Sequence, residues 1–322
     1  MTNCSNLFAA SALALLAAAG CTPTDSDQPV AIAKSGNTVV ISTSTVTTGG
    51  FGCGGLTTPG DGPLYVSNDR GATFTQLATD NIDAPVAALA VHQQTFYALH
   101  SHYSGYAIEA SQDGRTWTQV AAGSDEGFSL ITAGDSLAMV HDNGLLLSRD
   151  GKTWIDHALP AQMYNPIFTV AGKQTVVADH GGAMYVTNDM DQWEPLTVPG
   201  VTSMHRLTNI NGQAVAFVHA TRGSELEQPF LVQLNLATPA QSTFIAIDET
   251  IVNLIDAPAG TLFNDGSAAS NRAQLATRAD RTDAFIAAAV DGNDVVVLRD
   301  RSIAVSADGG QSFGPATELP LR

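Results

Sequence analysis

All three tryptophans of the chain close the same short motif: Ser111-Gln112-Asp113-Gly114-Arg115-Thr116-Trp117, Ser148-Arg149-Asp150-Gly151-Lys152-Thr153-Trp154, and Thr187-Asn188-Asp189-Met190-Asp191-Gln192-Trp193. Two eight-residue relatives bracket them, Ser67-Asn68-Asp69-Arg70-Gly71-Ala72-Thr73-Phe74 and Ser306-Ala307-Asp308-Gly309-Gly310-Gln311-Ser312-Phe313. From aromatic to aromatic the steps are 43, 37 and 39 residues, and Trp193 to Phe313 spans 120, near three further steps of the same length. A period of this size means stacked supersecondary units, none of which buries its apolar face alone.

The residue types explain the motif. A short carboxylate bonds the backbone N–H groups ahead of it and holds a turn, and glycine supplies the positive φ of a tight corner. The aromatic anchors that corner by removing roughly 150–250 Å² from water. These segments resemble the Asp-box, or BNR repeat, of sialidase-like β-propellers. Ser67, Asp69, Gly71 and Phe74, and likewise Ser306, Asp308, Gly310 and Phe313, match the eight-residue pattern. The seven-residue copies lack one turn position, and the copy holding Asp189 and Trp193 has Met190 in place of glycine. The resemblance implies an all-β fold and leaves activity open, because such turns occur on scaffolds with unrelated functions.

Between the motifs, short β-branched and apolar runs alternate with Gly, Asn or Asp turns, as in a chain of many short strands. In the second unit Val86 to Val91, Thr95 to Leu99, Tyr106 to Ala110 and Thr118 to Ala121 read as four strands. The same plan fits 129–159 and 166–197, with a first unit over 30–79, a last over 283–320, and room for two more in 202–282 without a good motif. The expectation is a β-propeller of seven blades, six being the alternative, each mostly of four antiparallel strands. The aspartate turns then join third to fourth strands on one rim. Loops from second to third strand and from blade to blade share the opposite face, where binding chemistry is expected. The longest of these are Thr47 to Pro63, which carries Cys53 in a Gly-rich run, and Ala220 to Pro229.

The amino-terminal end reads as a processing signal. Residues 7–20 are apolar, too short for a mature span, and end in small residues before Cys21. Ala18-Ala19-Gly20-Cys21 resembles a bacterial lipobox, which implies a signal peptide over 1–20, lipid on Cys21, a polar tether over 21–29 and the propeller over 30–322. The segment before the apolar run lacks Lys and Arg, a departure from that pattern. A membrane-anchored lipoprotein of the cell envelope follows as the expectation, touching the membrane through its anchor alone. Asp and Glu total 31 against 14 Lys and Arg, a net charge of −17. That balance argues against nucleic acid, whose binding rests on cations that neutralise phosphates.

A recurrent polar set marks the ends of the second strands. Seven residues beyond each preceding turn stand Thr43, His100, His141, Asp179, His219 and Arg299, with His102, Asp142, His180, Arg222 and Asp300 close by. His100, His102, His141, Asp179, His180, His219, Arg222 and Arg299 are therefore the candidate ligand face. Imidazoles converging on a centre can bind a transition metal, and His100, His141 and His219 are the candidates here; strand-end histidines with local hydrogen bonds are the alternative. No resident cofactor is expected. Sialidases open with an Arg-Ile-Pro motif, where this chain has Val30-Ala31-Ile32-Ala33, and no Tyr–Glu pair stands near Arg222, Arg272 or Arg299. The expected function is a non-catalytic, monomeric binding or assembly module for a protein or glycan ligand of the envelope. A sialidase-like or other glycoside hydrolase on the same face is the alternative.

Overall fold

The computed structural model describes residues 24–48, 58–77, 85–102, 104–133, 135–222, 226–247, 254–257, 260–263, 268–269 and 285–322. Their strands form a succession of antiparallel sheets, each closed locally in sequence. Blade 1 is β1 (Thr24–Ser35), β2 (Thr38–Thr48), β3 (Thr58–Ser67) and β4 (Thr75–Gln76). Blade 2 is β5 (Val86–His92), β6 (Thr95–His102), β7 (Gly105–Ser111) and β8 (Thr118–Gly123). Blade 3 is β9 (Gly127–Ala133), β10 (Ser136–His141), β11 (Gly144–Ser148) and β12 (Ile155–Ala158), and blade 4 is β13 (Ile167–Ala171), β14 (Gln174–Ala178), β15 (Met184–Thr187) and β16 (Glu194–Pro195). Blade 5 is β17 (Val201–Ile210), β18 (Gln213–Ala220), β19 (Gln228–Gln233) and β20 (Thr243–Ala246). A three-stranded sheet follows, β21 (Leu254–Ala257), β22 (Gly260–Phe263) and β23 (Ala268–Ala269). The last blade is β24 (Ala287–Asp291), β25 (Asp294–Leu298), β26 (Ser302–Ser306) and β27 (Thr317–Glu318). Six complete blades and this three-stranded sheet make the all-β propeller, within the six or seven read from the repeat.

The first strand of each blade is innermost: β1 neighbours β5, β5 neighbours β9, β13 neighbours β17, and β24 returns to β1. The second strands are buried on both sides, hence their unbroken apolar runs. Val39 to Ile41, Leu137 to Val140 and Val295 to Leu298 are all fully buried. The core is a set of clusters between consecutive blades. Val40, Leu64 and Val66 of blade 1 pack on Val86, Phe96 and Ala98 of blade 2, and Tyr97, Leu99 and Ile108 of blade 2 on Leu130, Leu137 and Met139 of blade 3.

Each aspartate turn joins a third to a fourth strand, as the repeat required. In the eight-residue form Ser67 Oγ donates to Asp69 Oδ1 at 2.7 Å, Gly71 N–H donates to Ser67 Oγ at 2.8 Å, and Thr73 donates from both N–H and Oγ1 to the Asp69 carboxylate. Ser306, Asp308, Gly310 and Ser312 repeat those bonds. In the seven-residue form one oxygen of Asp113 accepts the N–H groups of Arg115 and Thr116, both at 2.8 Å, and Asp150 and Asp189 do the same. Met190 holds the left-handed φ of 67° that Gly114 and Gly151 hold at 72° and 69°. The aromatics lie between blades: Trp117 joins the cluster of blades 1 and 2, Trp154 that of blades 2 and 3, and Trp193 that of blades 3 and 4.

Two features depart from expectation. Blade 5 has a related turn built on Asn235, whose Oδ1 accepts the N–H groups of Ala237 and Thr238; amide oxygen replaces carboxylate, and no aromatic follows. β1 also starts at Thr24, inside the segment read as tether, and pairs with β2 from that residue on. Its polar residues are used in packing, since Asp27 is 3% exposed and bonded by Tyr65, Thr45 and Arg322. Cys21, residues 1–20 and Cys53 lie outside the described residues. Among those described, no helix is long and apolar enough to cross a membrane.

Among the described residues no strand is shared between blade 1 and the last blade, and the ring closes by side chains together with a backbone bond in which the Asp27 N–H donates to the Arg322 carbonyl at 3.2 Å. Ile32, Ile41 and Tyr65 pack on Val296, Leu298 and Ile303. Lys34 Nζ, buried to 1%, lies 3.0 Å from Asp294 and 3.5 Å from Asp291, and Arg70 also pairs with Asp294.

Candidate functional site

On the face opposite the aspartate turns, the histidines of the second strands have different partners. His100 is buried, with Nε2 3.2 Å from Glu109 of its own blade. His141 is buried between Asp125, 3.2 Å from Nδ1, and Asp156, 3.1 Å from Nε2. His219 instead meets His205 of β17, with 3.3 Å between His205 Nε2 and His219 Nδ1 and ring centroids 4.5 Å apart. His180, in the loop between β14 and β15, stands 6.1 Å from His205, ring to ring. The three imidazoles brought together are thus His180, His205 and His219. Among the described residues no three His, Cys, Asp or Glu side chains are arranged to hold a metal ion.

The remaining candidates are spread over several blades. Asp179 holds its loop, accepting the Ala183 N–H at 2.9 Å. Thr43 is buried and donates to the Pro63 carbonyl at 2.7 Å. Arg222 stacks on Phe244, its guanidinium carbon 4.1 Å from the ring centroid, a cation–π contact. Arg299 belongs to the last blade, where its N–H donates to the Ser302 carbonyl. His102 ends β6 opposite Gly105, and Arg272 lies outside the described residues. The two described arginines of the sialidase comparison therefore sit on different blades.

His205 was not a candidate because it lies on an innermost strand, and irregular pairing brings it to the cluster. β17 carries two register shifts against β18, one between Val201 and Ser203 and one between Met204 and Arg206. Thr202 and His205 are the extra residues. A bulge leaves its extra residue unpaired and re-aims the side chains around it. After the second bulge His205 and Arg206 are both exposed although adjacent in sequence, whereas Met204 and Leu207 are buried. Thr202 Oγ1 lies 3.0 Å from the His219 carbonyl and within hydrogen-bonding reach of Glu227.

Burial holds the His205 ring below the ordinary histidine pKa, aided by His219 and His180 and opposed by Glu227. Burial likewise lowers the Arg206 guanidinium. That side chain is ringed by protein yet open to water, because it lines the axial channel, a cavity of about 570 Å³ walled by β1, β5, β9, β13, β17 and β24. Two large apolar side chains stand exposed on the same face as the imidazoles: Tyr164, 73% exposed, whose carbonyl accepts the His180 N–H, and Leu226, 74% exposed, in the loop between β18 and β19. The arrangement offers imidazole nitrogens and apolar contacts on one face. It can bind and orient a ligand.

No family model and no curated protein matches the chain. Solved structures do. The chain is similar to a streptogramin B lyase, with 10% identity, 84% of this chain and 90% of that one covered and a TM-score of 0.54. It is also similar to the β-propeller domain of the trilobed protease from Pyrococcus furiosus, with 11% identity, 91% and 97% covered and a TM-score of 0.52. YCF48 bound to a D1 peptide aligns at 13% identity over 89% of this chain and 81% of that one, with a TM-score of 0.48. The likeness is one of fold.

Proposed function

We propose that the chain is a non-catalytic binding or assembly module of the cell envelope, anchored through lipid on Cys21, which takes a protein or glycan ligand on the face opposite its aspartate turns. Those turns are read as Asp-boxes and belong to the scaffold. The observation that carries this reading is the convergence of His180, His205 and His219 on the face opposite the aspartate turns, assembled by two bulges in one strand. Bulges of this kind recur beside functional sites, where they re-aim side chains. Exposed Tyr164 and Leu226 on the same face supply apolar contact area; large exposed apolar groups rimmed by polar ones mark interaction surfaces. The chain acts as a monomer, touches the membrane only through its anchor, and avoids nucleic acid.

The test compares two surfaces of one protein. A variant carrying His205→Ala, Tyr164→Ser and Leu226→Ser is set against one carrying Gln112→Ala, Lys152→Ala and Gln311→Ala on the turn face, each immobilised and incubated with solubilised envelope. A defined set of envelope components retained by the wild type and the turn-face variant, and lost from the first, supports the reading. Retention by both variants, or loss from the turn-face variant alone, overturns it. Turnover of a sialoside by the wild type would instead establish a hydrolase on this face.

A further inference from the structure

We infer that the seam between blades 4 and 5 holds a binding site for a neutral saccharide, on the aspartate-turn face. This goes beyond the proposed function: the site and the imidazole face stand at opposite rims, and neither reading rests on the other.

The inference starts from a missing side chain. Trp154 packs into the cluster that blade 3 shares with blade 2, and Trp193 into the one that blade 4 shares with blade 3. Blade 5 makes the related turn with Asn235, but where Trp154 follows Asp150 by four residues, Pro239 follows Asn235. The cluster that blade 5 shares with blade 4 accordingly contains no turn aromatic. A cavity of about 420 Å³ lies in that seam, reaching from Ala171 and Gln174 of blade 4 to Gly212, Ala214, Leu234 and Leu236 of blade 5. Small residues help to keep it open, and a Cβ on Gly212 would meet nothing within 4 Å.

Charge and polarity select the ligand. The chain carries −17, yet Asp, Glu, Lys and Arg are all absent from the described residues that line this cavity. Its polar side chains are amides and one hydroxyl: Gln174 from blade 4, and Gln213, Gln233, Asn235, Gln241 and Thr243 from blade 5. Among the described residues the side-chain amides of Gln174 and Gln233 have no hydrogen-bond partner. Gln241 accepts the Thr238 hydroxyl at 3.2 Å through its oxygen, which leaves its NH₂ group to donate. A side-chain amide both donates and accepts, and so does each hydroxyl of a sugar. Below the amides lie buried Ala171, Ala214 and Leu234, a floor on which the C–H face of a sugar ring can rest. An acidic sugar finds no cation there. A peptide finds no free edge on β14, β18 or β19, each of which is paired on both sides. The volume also fits, since small-molecule sites run from roughly 300 to 1,000 Å³.

Isothermal titration of the purified chain with lactose, maltose and N,N′-diacetylchitobiose tests this, with digalacturonate and trialanine as the acidic and peptide comparators. At least one neutral disaccharide should bind about tenfold more tightly than either comparator. Gln174→Trp fills the seam and should abolish that binding. Gln241→Ala, at an exposed position, removes one polar contact and should weaken it about three- to tenfold. Circular dichroism establishes that each variant is folded. Absence of binding by all three neutral disaccharides, or equal or tighter binding of digalacturonate or trialanine, overturns the inference. So does neutral binding that is unchanged in folded Gln174→Trp or, where that variant does not fold, in Gln241→Ala. Envelope components still retained by a Gln174→Trp variant that has lost the saccharide would separate this site from the proposed ligand face.

Discussion

Arg322 grips Asp27 with both arms of its guanidinium: Nε lies 3.2 Å from one carboxylate oxygen and Nη2 3.2 Å from the other. The pair joins the residue beyond the last blade to the first strand of blade 1. Arg322→Ala should cost about 1–2 kcal/mol, toward the low end for bonds to charged groups because the arginine is half exposed. Tm, followed by circular dichroism, should fall by about 2–6 °C. An unchanged Tm would mean that this pair adds nothing to the closure made by the apolar cluster and the Lys34 and Arg70 ion pairs.

The same cluster gives an alkaline prediction. Burial pushes the Tyr65 hydroxyl up to about 12, aided by its hydrogen bond to Asp27 and the charge there. A phenol raised in the folded state contributes stability below its unfolded value of about 10, and that contribution is lost as pH rises toward the folded value. Tm should therefore fall between pH 10 and 12, and Tyr65→Phe should lose less over that window than the wild type.

At the third turn a Cβ on Gly151 would come 1.7 Å from the Tyr97 hydroxyl of the neighbouring blade, with φ at 69°. Gly114 has φ of 72° and meets Val40 of its own neighbour at 2.6 Å, so the turn glycines let each corner seat against the preceding blade. Gly151→Ala should cost about 1–3 kcal/mol from strain and contact together. Gly36, with positive φ and nothing within 4 Å, isolates the backbone part, and Gly36→Ala should cost only about 1 kcal/mol. Chemical denaturation of both variants checks the difference.

The turn aspartates set the response to acid. Hydrogen bonds from Ser67, then Thr73, hold Asp69 down at about 2, and Asp113, Asp150, Asp189 and Asp308 are lowered by bonds of the same kind. A lowered carboxylate contributes stability above its unfolded value of about 3.9 and loses it as pH falls toward the folded one. Tm should drop from about pH 4 to pH 2, and the Asp69→Asn, Asp308→Asn double variant should show a shallower drop from a lower starting point.

For His205 the sign runs the other way from an ion-paired histidine. Its pKa is lowered, so the neutral ring is favoured in the fold; this contribution is present above about pH 6.5 and fades as pH falls below it. Proton NMR titration should place His205 below ordinary histidine, His219→Ala should raise it, and Glu227→Gln should lower it further.

Much of the scaffold is legible in the sequence because the turn chemistry is local. Asp113, Arg115 and Thr116 make their bonds within four residues, and the spacing of Phe74, Trp117, Trp154, Trp193 and Phe313 follows from one anchor per blade. Blade 5 escapes the pattern because Asn235 performs the task without a following aromatic. The β1 start at Thr24 is hidden for a different reason: Asp27 looks like tether until Arg322, distant in sequence, supplies its partner. The site is less legible. Counting along second strands finds His219 and lies close to His180, but His205 arrives through two bulges, and a bulge is a matter of pairing between β17 and β18. Arg206 carries no motif at all; only the closed ring makes it lumenal.

Photocross-linking in living cells tests the assignment of the ligand face most directly. A photoreactive amino acid is placed at Tyr164 or Leu226 on the imidazole face, and at Lys152 or Gln311 on the turn face. Discrete cross-linked species from the first pair and none from the second is the expected result. Species obtained only from the turn face would contradict it.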